Sequence, residues 1–212
     1  MIIWNFLTIL FYSNYGKETR NPQKKAEIFS IAEPEKADIM KTKKNVMTKR
    51  RVCMKYYLDA EVSTGWILRI VEEREAIVQI HILRKPETAE ADMDPRETAL
   101  LLEAKRQLEE YFAGIRAGFS LPLAPEGTEF QKSVWQQLEA IPFGETRTYG
   151  QIAAAAGNPK ACRAAGGAIH KNPIAIMIPC HRVIGADGSL TGFASGLDVK
   201  EALLRLEGII KE

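Results

Sequence analysis

The chain has 212 residues, of which 46% are hydrophobic and 26% are charged, as in an ordinary globular protein with one or two small domains. The net charge of +2 selects no class of partner. The three cysteines, Cys53, Cys162 and Cys180, are scattered, which excludes a disulfide framework and a CxxC metal motif. We therefore expect a reducing, cytoplasmic environment, no metal and no cofactor.

Residues 1–53 differ in composition from the rest of the chain. They carry 11 lysines and arginines against 5 acidic residues, and the Lys-rich part shows no hydrophobic periodicity. The opening MIIWNFLTILFY is apolar but too short to span a bilayer, and it lacks the basic region and cleavage site of a signal peptide. We expect residues 1–53 to be disordered, or to follow a start codon assigned too early, and we expect no membrane partner.

Residues 54–123 show the pattern of a small sheet followed by a helix. The runs YYLDAEV, WILRIVE and AIVQIHIL are rich in β-formers and separated by turn residues, which predicts an antiparallel meander. The next stretch has helical spacing, and we expect Asp94 to be its N-cap and Pro95 its first residue. GFSLPLAPEG, residues 118–127, is typical of a linker, so we place the domain boundary inside it.

Residues 124–212 are predicted to form a second, mostly helical domain. Thr128 is expected to cap the helix EFQKSVWQQLEAI. Two short helices, at about 149–156 and 159–170, are separated by a turn at Gly157, with Asn158 as N-cap and Pro159 as the first residue of the second helix. This order is typical of a helix-turn-helix. The fold class predicted for the whole chain is α+β, with a winged-helix-like second domain.

The second short helix and its surroundings indicate a nucleic-acid partner. Residues 146–186 contain five cations and no acid, which predicts a basic face for an anionic partner. The helix segment ACRAAGGA has small side chains and one long cation, Arg163, which suits sequence-independent docking in the narrow minor groove of double-stranded DNA. The alternative is that its glycines pack against another helix.

The stretch NPIAIMIPCHRVIG suggests a reactive thiol. We expect IAIMI to be a strand that ends at Pro179, so that a bend follows at Cys180 and His181. A nearby imidazole or backbone N–H groups would lower the pKa of the thiol, and His181 is the candidate base. Glu207, at the unfavourable end of the last helix, is the candidate to orient His181. On these residues alone, a chance Cys–His pair is an open alternative.

Several longer stretches resemble one known family. PCHRVIG, together with FQKSVWQQLEAIPFGETRTYGQIA, GNPKACRAAGGAIHKNP and GLDVKEALLRLEG, is similar to the O6-alkylguanine-DNA alkyltransferases over about residues 128–208. The resemblance implies that Cys180 accepts the alkyl group, that His181 is its base through a water molecule, and that Glu207 orients the imidazole. It also implies that Asn172 helps to hold the site.

The same resemblance implies roles in DNA binding and in the substrate pocket. Arg163 would enter the base stack where the target guanine leaves, and Tyr149 would help the base to rotate out. Further DNA contacts would come from Thr148, Asn158 and Gly166, and the pocket would be lined by Tyr149, Ile178, Phe193, Ala194 and Ser195. The implied substrate is O6-alkylguanine in double-stranded DNA, bound through the minor groove by a monomer, with O4-alkylthymine as a second candidate.

This sequence departs from the family pattern at three pocket positions. Phe193 replaces a Tyr and Ala194 a Ser found in some members, and Ala175 occupies a position that is Pro in some. Three rival functions remain at this point: a lesion-binding module without chemistry, a cysteine hydrolase and a transcription factor. Cys180 argues against the first, the acid-free helix pair is unexplained by the second, and the single Arg of the second helix argues against the third.

Overall fold

The computed structural model describes residues 54–211, which belong to one compact unit. The expectations for residues 1–53 lie outside the described residues. Among the helices of 54–211, none is long and apolar enough to cross a membrane.

The sheet is a meander with one added strand. Strands β1 (Lys55–Glu61), β2 (Ile67–Glu73) and β3 (Ala76–Leu83) pair antiparallel, as predicted. A short strand, β4 (Met93–Pro95), pairs with β1 in parallel and completes the order β3-β2-β1-β4. The sheet is therefore mixed, and the parallel strand was not predicted.

The start of the first helix was predicted wrongly. Asp94 and Pro95 belong to β4, and helix α1 (Ala99–Phe112) begins after Thr98, whose hydroxyl accepts from the amide of Leu101 at 3.1 Å. The sheet explains the difference: the amide of Arg96 donates to the carbonyl of Tyr57 at 3.0 Å, so this segment continues the β1 ladder. Pro95 fits there because it occupies the end of an edge strand.

The sheet and the helical part share one hydrophobic core. Helix α1 buries Leu101, Leu108 and Tyr111, and the core cluster extends without a break into the residues after 128. Strand β3 also pairs beyond the sheet: the amide of Ile77 donates to Pro122 at 2.8 Å, and that of Ile80 donates to Pro173 at 2.9 Å. The boundary inside residues 118–127 stays a prediction.

The remaining elements surround the cysteine. They are α2 (Glu129–Glu139), β5 (Arg147–Thr148), α3 (Tyr149–Ala155), α4 (Cys162–His170), a 3-10 turn (Cys180–Arg182), β6 (Val183–Ile184) and α5 (Leu197–Leu206). Strands β5 and β6 pair in parallel. Helix α2 packs on α4, where the indole N–H of Trp135 donates to the carbonyl of Ala168 at 2.9 Å.

The second short helix begins later than predicted. Its N-cap position is Ala161, which makes no side-chain capping bond, so Asn158 and Pro159 are not its first residues. The side chain of Asn158 instead accepts from the amide of Lys160 at 3.2 Å. That local bond closes a turn, which competes with helix formation over these residues.

The segment before the cysteine is a turn and not the predicted strand. The amide of Ile178 donates to the carbonyl of Ile174 at 3.0 Å, and Ile176 has a φ of 71°. The side chain of Asn172 fixes both ends of this turn: its Oδ1 accepts from Ile174 N at 3.1 Å, and its Nδ2 donates to Ile178 O at 2.7 Å. Apart from one isolated bridge between Ile174 and Ile80, the apolar run therefore reflects burial in the core and not strand pairing.

Helix α2 has a complete capping box, which generates a stability prediction. The Thr128 hydroxyl accepts from Gln131 N, and the Gln131 side chain accepts from Thr128 N at 2.8 Å. We expect Thr128→Ala to lower the free energy of unfolding by about 1 kcal/mol in urea denaturation. Thr64→Ala, at an exposed turn residue, is the control and should change it by less than about 0.5 kcal/mol. Equal losses would show that the capping box contributes nothing.

Candidate active site and nucleic-acid interface

The 3-10 turn Cys180–Arg182 carries the candidate nucleophile and base. It follows Pro179 directly, and Cys180 and His181 are both buried. The Asn172 amide donates to Cys180 Sγ at 3.1 Å, with the same nitrogen that donates to Ile178 O. The side chain that shapes the preceding turn therefore also contacts the sulfur.

The environment of Cys180 raises the pKa of its thiol. Burial disfavours the thiolate and outweighs the hydrogen bond from Asn172 and the charge of Lys200, which act in the opposite direction. The expected lowering of this pKa was therefore wrong in direction for the DNA-free protein. A protonated thiol needs a base before it can act as a nucleophile.

The surroundings of His181, the candidate base, favour a neutral imidazole. Its Nε2 lies 2.8 Å from Oε1 of Glu207. Burial alone would raise the pKa of Glu207, but hydrogen bonds from His181, Arg182 and Tyr111 lower it to about 2. Because the carboxylate is ionised and can only accept, Nε2 carries the proton and Nδ1 is the free acceptor. Burial lowers the pKa of His181, which favours the neutral imidazole.

The second ring nitrogen of His181 is unusual within residues 54–211. Nδ1 is buried, and it is the one buried side-chain nitrogen or oxygen of the described chain that has no hydrogen-bond partner. A buried acceptor without a hydrogen-bond partner lowers the stability of the folded state, so such an atom calls for an explanation. Nδ1 is free to accept a proton, and the residue that carries this nitrogen directly follows Cys180 in the 3-10 turn.

Glu207 has more partners than the sequence suggested. The prediction that an acid at this helix end needs a partner elsewhere agrees with its contact to His181. Arg182 also donates to both carboxylate oxygens, at 2.9 Å each, and the Tyr111 hydroxyl donates to Oε1 at 2.6 Å. Neither Arg182 nor Tyr111 was predicted to lie in the site. The signal for Arg182 was its place directly after the Cys–His pair, whereas Tyr111 lies 96 residues away in sequence.

A cavity of about 290 Å³ opens beside Cys180. Of the five residues predicted for the substrate pocket, Phe193, Ala194 and Ser195 line this cavity, whereas Ile178 and Tyr149 are not among its lining residues. One wall was not predicted: it consists of the β3 residues Ile80, His81, Ile82 and Leu83. Sequence analysis missed this wall because strand periodicity does not show which end of a sheet meets another part of the chain.

Tyr149 and Lys200 hold the loop that carries the predicted pocket residues. The Tyr149 hydroxyl and the Lys200 ammonium group both donate to the carbonyl of Thr191, at 2.8 Å each. Lys200 is fully buried, and burial lowers its pKa to about 8. A Cβ built on Gly192 would lie 2.9 Å from the Tyr149 hydroxyl, so this close approach requires glycine.

The predicted DNA-binding residues lie on and around α3 and α4. Arg163 and Asn158 are exposed, and the Thr148 hydroxyl caps α3 by accepting from Gln151 N at 3.2 Å. A Cβ on Gly166 would lie 3.6 Å from the Tyr149 ring, whereas one on Gly167 would meet nothing within 4 Å. Gly166 thus packs inward against an aromatic ring and Gly167 faces open space.

The predicted basic face is smaller than the cation count suggested. Arg182 is buried against Glu207, and Arg147 pairs with Glu145 at 2.9 Å. The exposed cations of the window are Lys160, Arg163 and Lys171. Among residues 54–211, no group of three or more His, Cys, Asp or Glu side chains could hold a metal ion.

Comparison with known proteins identifies close relatives. The family model described as "6-O-methylguanine DNA methyltransferase, DNA binding domain" matches residues 129–209. The methylated-DNA–protein-cysteine methyltransferase of Methanosarcina acetivorans is 54% identical over 154 residues, covering 72% of this chain and 98% of the relative. The constitutive enzyme of that name from Bacillus subtilis is 48% identical over 162 residues, covering 74% and 97%. The crystal structure of Mycobacterium tuberculosis OGT in complex with DNA is 41% identical, with a TM-score of 0.64 over 72% of this chain and 91% of that one.

The buried carboxylate generates a prediction on acid stability. Glu207→Gln leaves the buried Arg182 unpaired, so we expect it to lower the free energy of unfolding at pH 7 by about 3 kcal/mol. Because folding lowers the pKa of Glu207 from 4.5 to about 2, its contribution is present above pH 4.5 and is lost as the pH falls toward 2. The variant should therefore lose less stability than wild type over that range in denaturant titrations.

The matched control for this prediction is Glu129→Gln, which removes an acid whose side chain is 93% exposed. It should shift stability by less than about 0.5 kcal/mol and keep the acid dependence of wild type. Parallel stability–pH curves for wild type and Glu207→Gln would contradict the role assigned to the carboxylate.

Proposed function

Because the chain belongs to the methylated-DNA–protein-cysteine methyltransferase family, we propose that it repairs O6-alkylguanine in double-stranded DNA by moving the alkyl group onto Cys180. The observation that carries the proposal is a set of four residues in which Asn172 contacts Cys180 Sγ and Glu207 contacts His181, the next residue of the same turn, while Cys180 lines a cavity of about 290 Å³. The set contains a nucleophile, a neutral base and a carboxylate that fixes the tautomer of the base. This chemistry calls for no metal or cofactor.

The proposed reaction is a single displacement. His181 Nδ1 takes the proton of the Cys180 thiol through a water molecule, and the thiolate attacks the alkyl carbon. A C–S bond forms as the bond between that carbon and guanine O6 breaks. The guanine takes up one proton from water, and His181 returns to water the proton that it took from the thiol. The thioether product has no water-labile bond, so each protein molecule acts once. The amide of Asn172, 3.1 Å from Sγ, favours the developing thiolate.

The target atom requires the base to leave the double helix. O6 of guanine faces the middle of the base pair, so an enzyme that acts on it must flip the nucleotide into a pocket. We infer that α3 and α4 act as a helix-turn-helix, with the open face at Gly167 against the minor groove. Arg163 is exposed on that helix and suited to fill the gap in the stack. The complex of the 41% identical Mycobacterium tuberculosis OGT with DNA supports DNA as the partner.

The remaining assignments follow from this docking. Thr148 and Asn158 contact the DNA backbone from the start of α3 and from the turn between α3 and α4, whereas Gly166 supports this surface by packing against the Tyr149 ring. Tyr149 presses on the target nucleotide from a position fixed by its bond to Thr191 O. Phe193, Ala194 and Ser195, which line the cavity beside Cys180, receive the flipped base, and the protein acts as a monomer in the cytoplasm. O4-alkylthymine is a second candidate substrate of the same pocket.

The first test is where the alkyl group ends. After mixing with an oligonucleotide that contains O6-methylguanine, we expect the intact mass to rise by one methyl group per molecule, and peptide mapping to place it on Cys180. Cys180→Ala should abolish transfer and keep the affinity for lesion-bearing DNA within about twofold, since the groove contacts lie elsewhere. Cys162→Ser, at an exposed cysteine, is the control that should react normally. A methyl group on Cys53 or Cys162 would sink the assignment.

The second test separates base flipping from phosphate binding at Arg163. Lys retains the charge but cannot stack as a flat guanidinium does. We expect Arg163→Lys and Arg163→Ala both to slow transfer from duplex DNA by about 10²-fold, because unstacking a paired base costs a few kcal/mol. Both should react with free O6-benzylguanine as wild type does, provided that wild type accepts it, and both should recover partly when the lesion is mispaired.

Lys171→Ala is the matched control, because it removes an exposed cation of the same surface. It should weaken DNA binding mainly through its salt dependence and leave the rate at saturating DNA unchanged. If Arg163→Ala lost as much activity toward the free base as toward the duplex, Arg163 would shape the pocket and the flipping role would be abandoned.

A further inference from the structure

The hydroxyl of Tyr111 contacts Glu207, a member of the proposed catalytic set, although Tyr111 lies in the part of the chain before residue 118. Tyr111 lies in α1, is fully buried, and donates to Oε1 of Glu207 at 2.6 Å. The same oxygen lies 2.8 Å from His181 Nε2. The proposed displacement uses His181 and Glu207 but assigns nothing to this third group.

The packing of the Tyr111 ring fixes the position of its hydroxyl. Its ring centroid lies 5.4 Å from that of Phe112, 5.5 Å from that of Phe119 and 6.1 Å from that of Phe143. An aromatic side chain held on several sides loses little further freedom when its hydroxyl makes a hydrogen bond. The hydroxyl is therefore a fixed donor, placed by the aromatic side chains that pack around its ring.

The two oxygens of Glu207 have different partners. Oε2 accepts from Arg182 Nε at 2.9 Å and from the amide of Gly144 at 3.4 Å. Oε1 accepts from Arg182 Nη2 at 2.9 Å, and it is the oxygen shared by His181 and Tyr111. Arg182 fixes the orientation of the carboxylate by donating to both of its oxygens. Tyr111 adds a donor at Oε1, the oxygen that contacts the imidazole.

We propose that Tyr111 is a positioning residue for alkyl transfer, whose hydroxyl holds Glu207 Oε1 against His181 Nε2 and takes up part of the acceptor capacity of that oxygen. The proposal deepens the function inferred above and rests on it for the rate measurement. In chemical terms, the hydrogen bond from Tyr111 limits how strongly the Glu207 carboxylate attracts the proton of the imidazole. A neutral base can accept the thiol proton, whereas an imidazolium cannot.

The sign of the effect follows from the charges around His181. Glu207 favours the imidazolium, while Arg182 and Lys200 disfavour it, and Cys180 is its neighbour in the 3-10 turn. Removing the Tyr111 hydroxyl leaves these groups in place and gives Oε1 fewer donors. The carboxylate then attracts the Nε2 proton more strongly, which raises the pKa of His181. The acidic limb of the transfer rate, where the base becomes protonated, moves to higher pH.

The experiment compares Tyr111→Phe with Phe119→Leu. The first variant keeps the ring and removes only the hydroxyl, whereas the second loosens the same aromatic cluster without touching Glu207. Imidazole NMR titration of the full chain is tractable because it contains three histidines, and His81→Gln and His170→Gln variants assign the signals. Single-turnover methyl transfer is measured over the same pH range.

For Tyr111→Phe we expect a His181 titration midpoint at higher pH and, on the acidic limb, a transfer rate about threefold to tenfold below wild type. Above that limb the rates should agree within about twofold. Phe119→Leu should lower the melting temperature and leave both pH curves in place. As a second variant, 3,5-difluorotyrosine at position 111 is a stronger donor and should move the midpoint in the opposite direction.

Superimposable His181 titrations for wild type and Tyr111→Phe would overturn the proposal, and so would an equal shift in Phe119→Leu. The difluorotyrosine protein decides the matter if Tyr111→Phe does not fold. Failure of wild type to transfer a methyl group would overturn the proposed function, whereas the NMR titration would still decide the role of Tyr111. The two failures are thus distinguishable.

Discussion

A carboxylate without water around it needs donors on every side, and the site of this protein is built around that requirement. The side chain of Glu207 is fully buried, and removing an ion from water costs several kcal/mol unless hydrogen bonds and opposite charge compensate. The compensation comes from the 3-10 turn through His181 and Arg182, from the loop after α2 through Gly144, and from α1 through Tyr111. Three segments that are distant in sequence therefore meet at one side chain.

Asn172 has a comparable role in place of regular secondary structure. Its amide binds both ends of the turn before the cysteine and also the sulfur itself. A turn fixed by a side chain can present Cys180 and His181 from a buried position, whereas a strand would direct neighbouring side chains to opposite faces. The 3-10 turn after Pro179 then directs His181 toward Glu207.

The sequence alone was enough to predict the elements that have clear local patterns and the family that the chain resembles. Runs of β-forming residues separated by turn residues predicted β1 to β3, and Thr128 marked the start of α2. The unfavourable place of Glu207 at its helix end indicated a distant partner, which is His181. The wrong predictions concern segments where a local sequence signal competes with a contact to another part of the chain. Asp94 reads as a helix cap until β1 offers it a strand partner, and IAIMI reads as a strand until Asn172 closes it as a turn. Tyr111 could not be assigned to the site from the sequence because its ring belongs to the core, and only its hydroxyl reaches the site.

Ile176 shows what such a turn requires of the residues that form it. Its φ of 71° belongs to the left-handed region, where a β-branched side chain is rare and a glycine or asparagine is at ease. Its side chain, however, is only 1% exposed within the core. The backbone conformation at position 176 thus favours glycine or asparagine, whereas burial in the core favours a large apolar side chain. The residue present is the apolar one. A protein designer who chose residue 176 from backbone preference alone would remove the packing that keeps the turn in shape, and one who chose it from burial alone would not see that the position is strained.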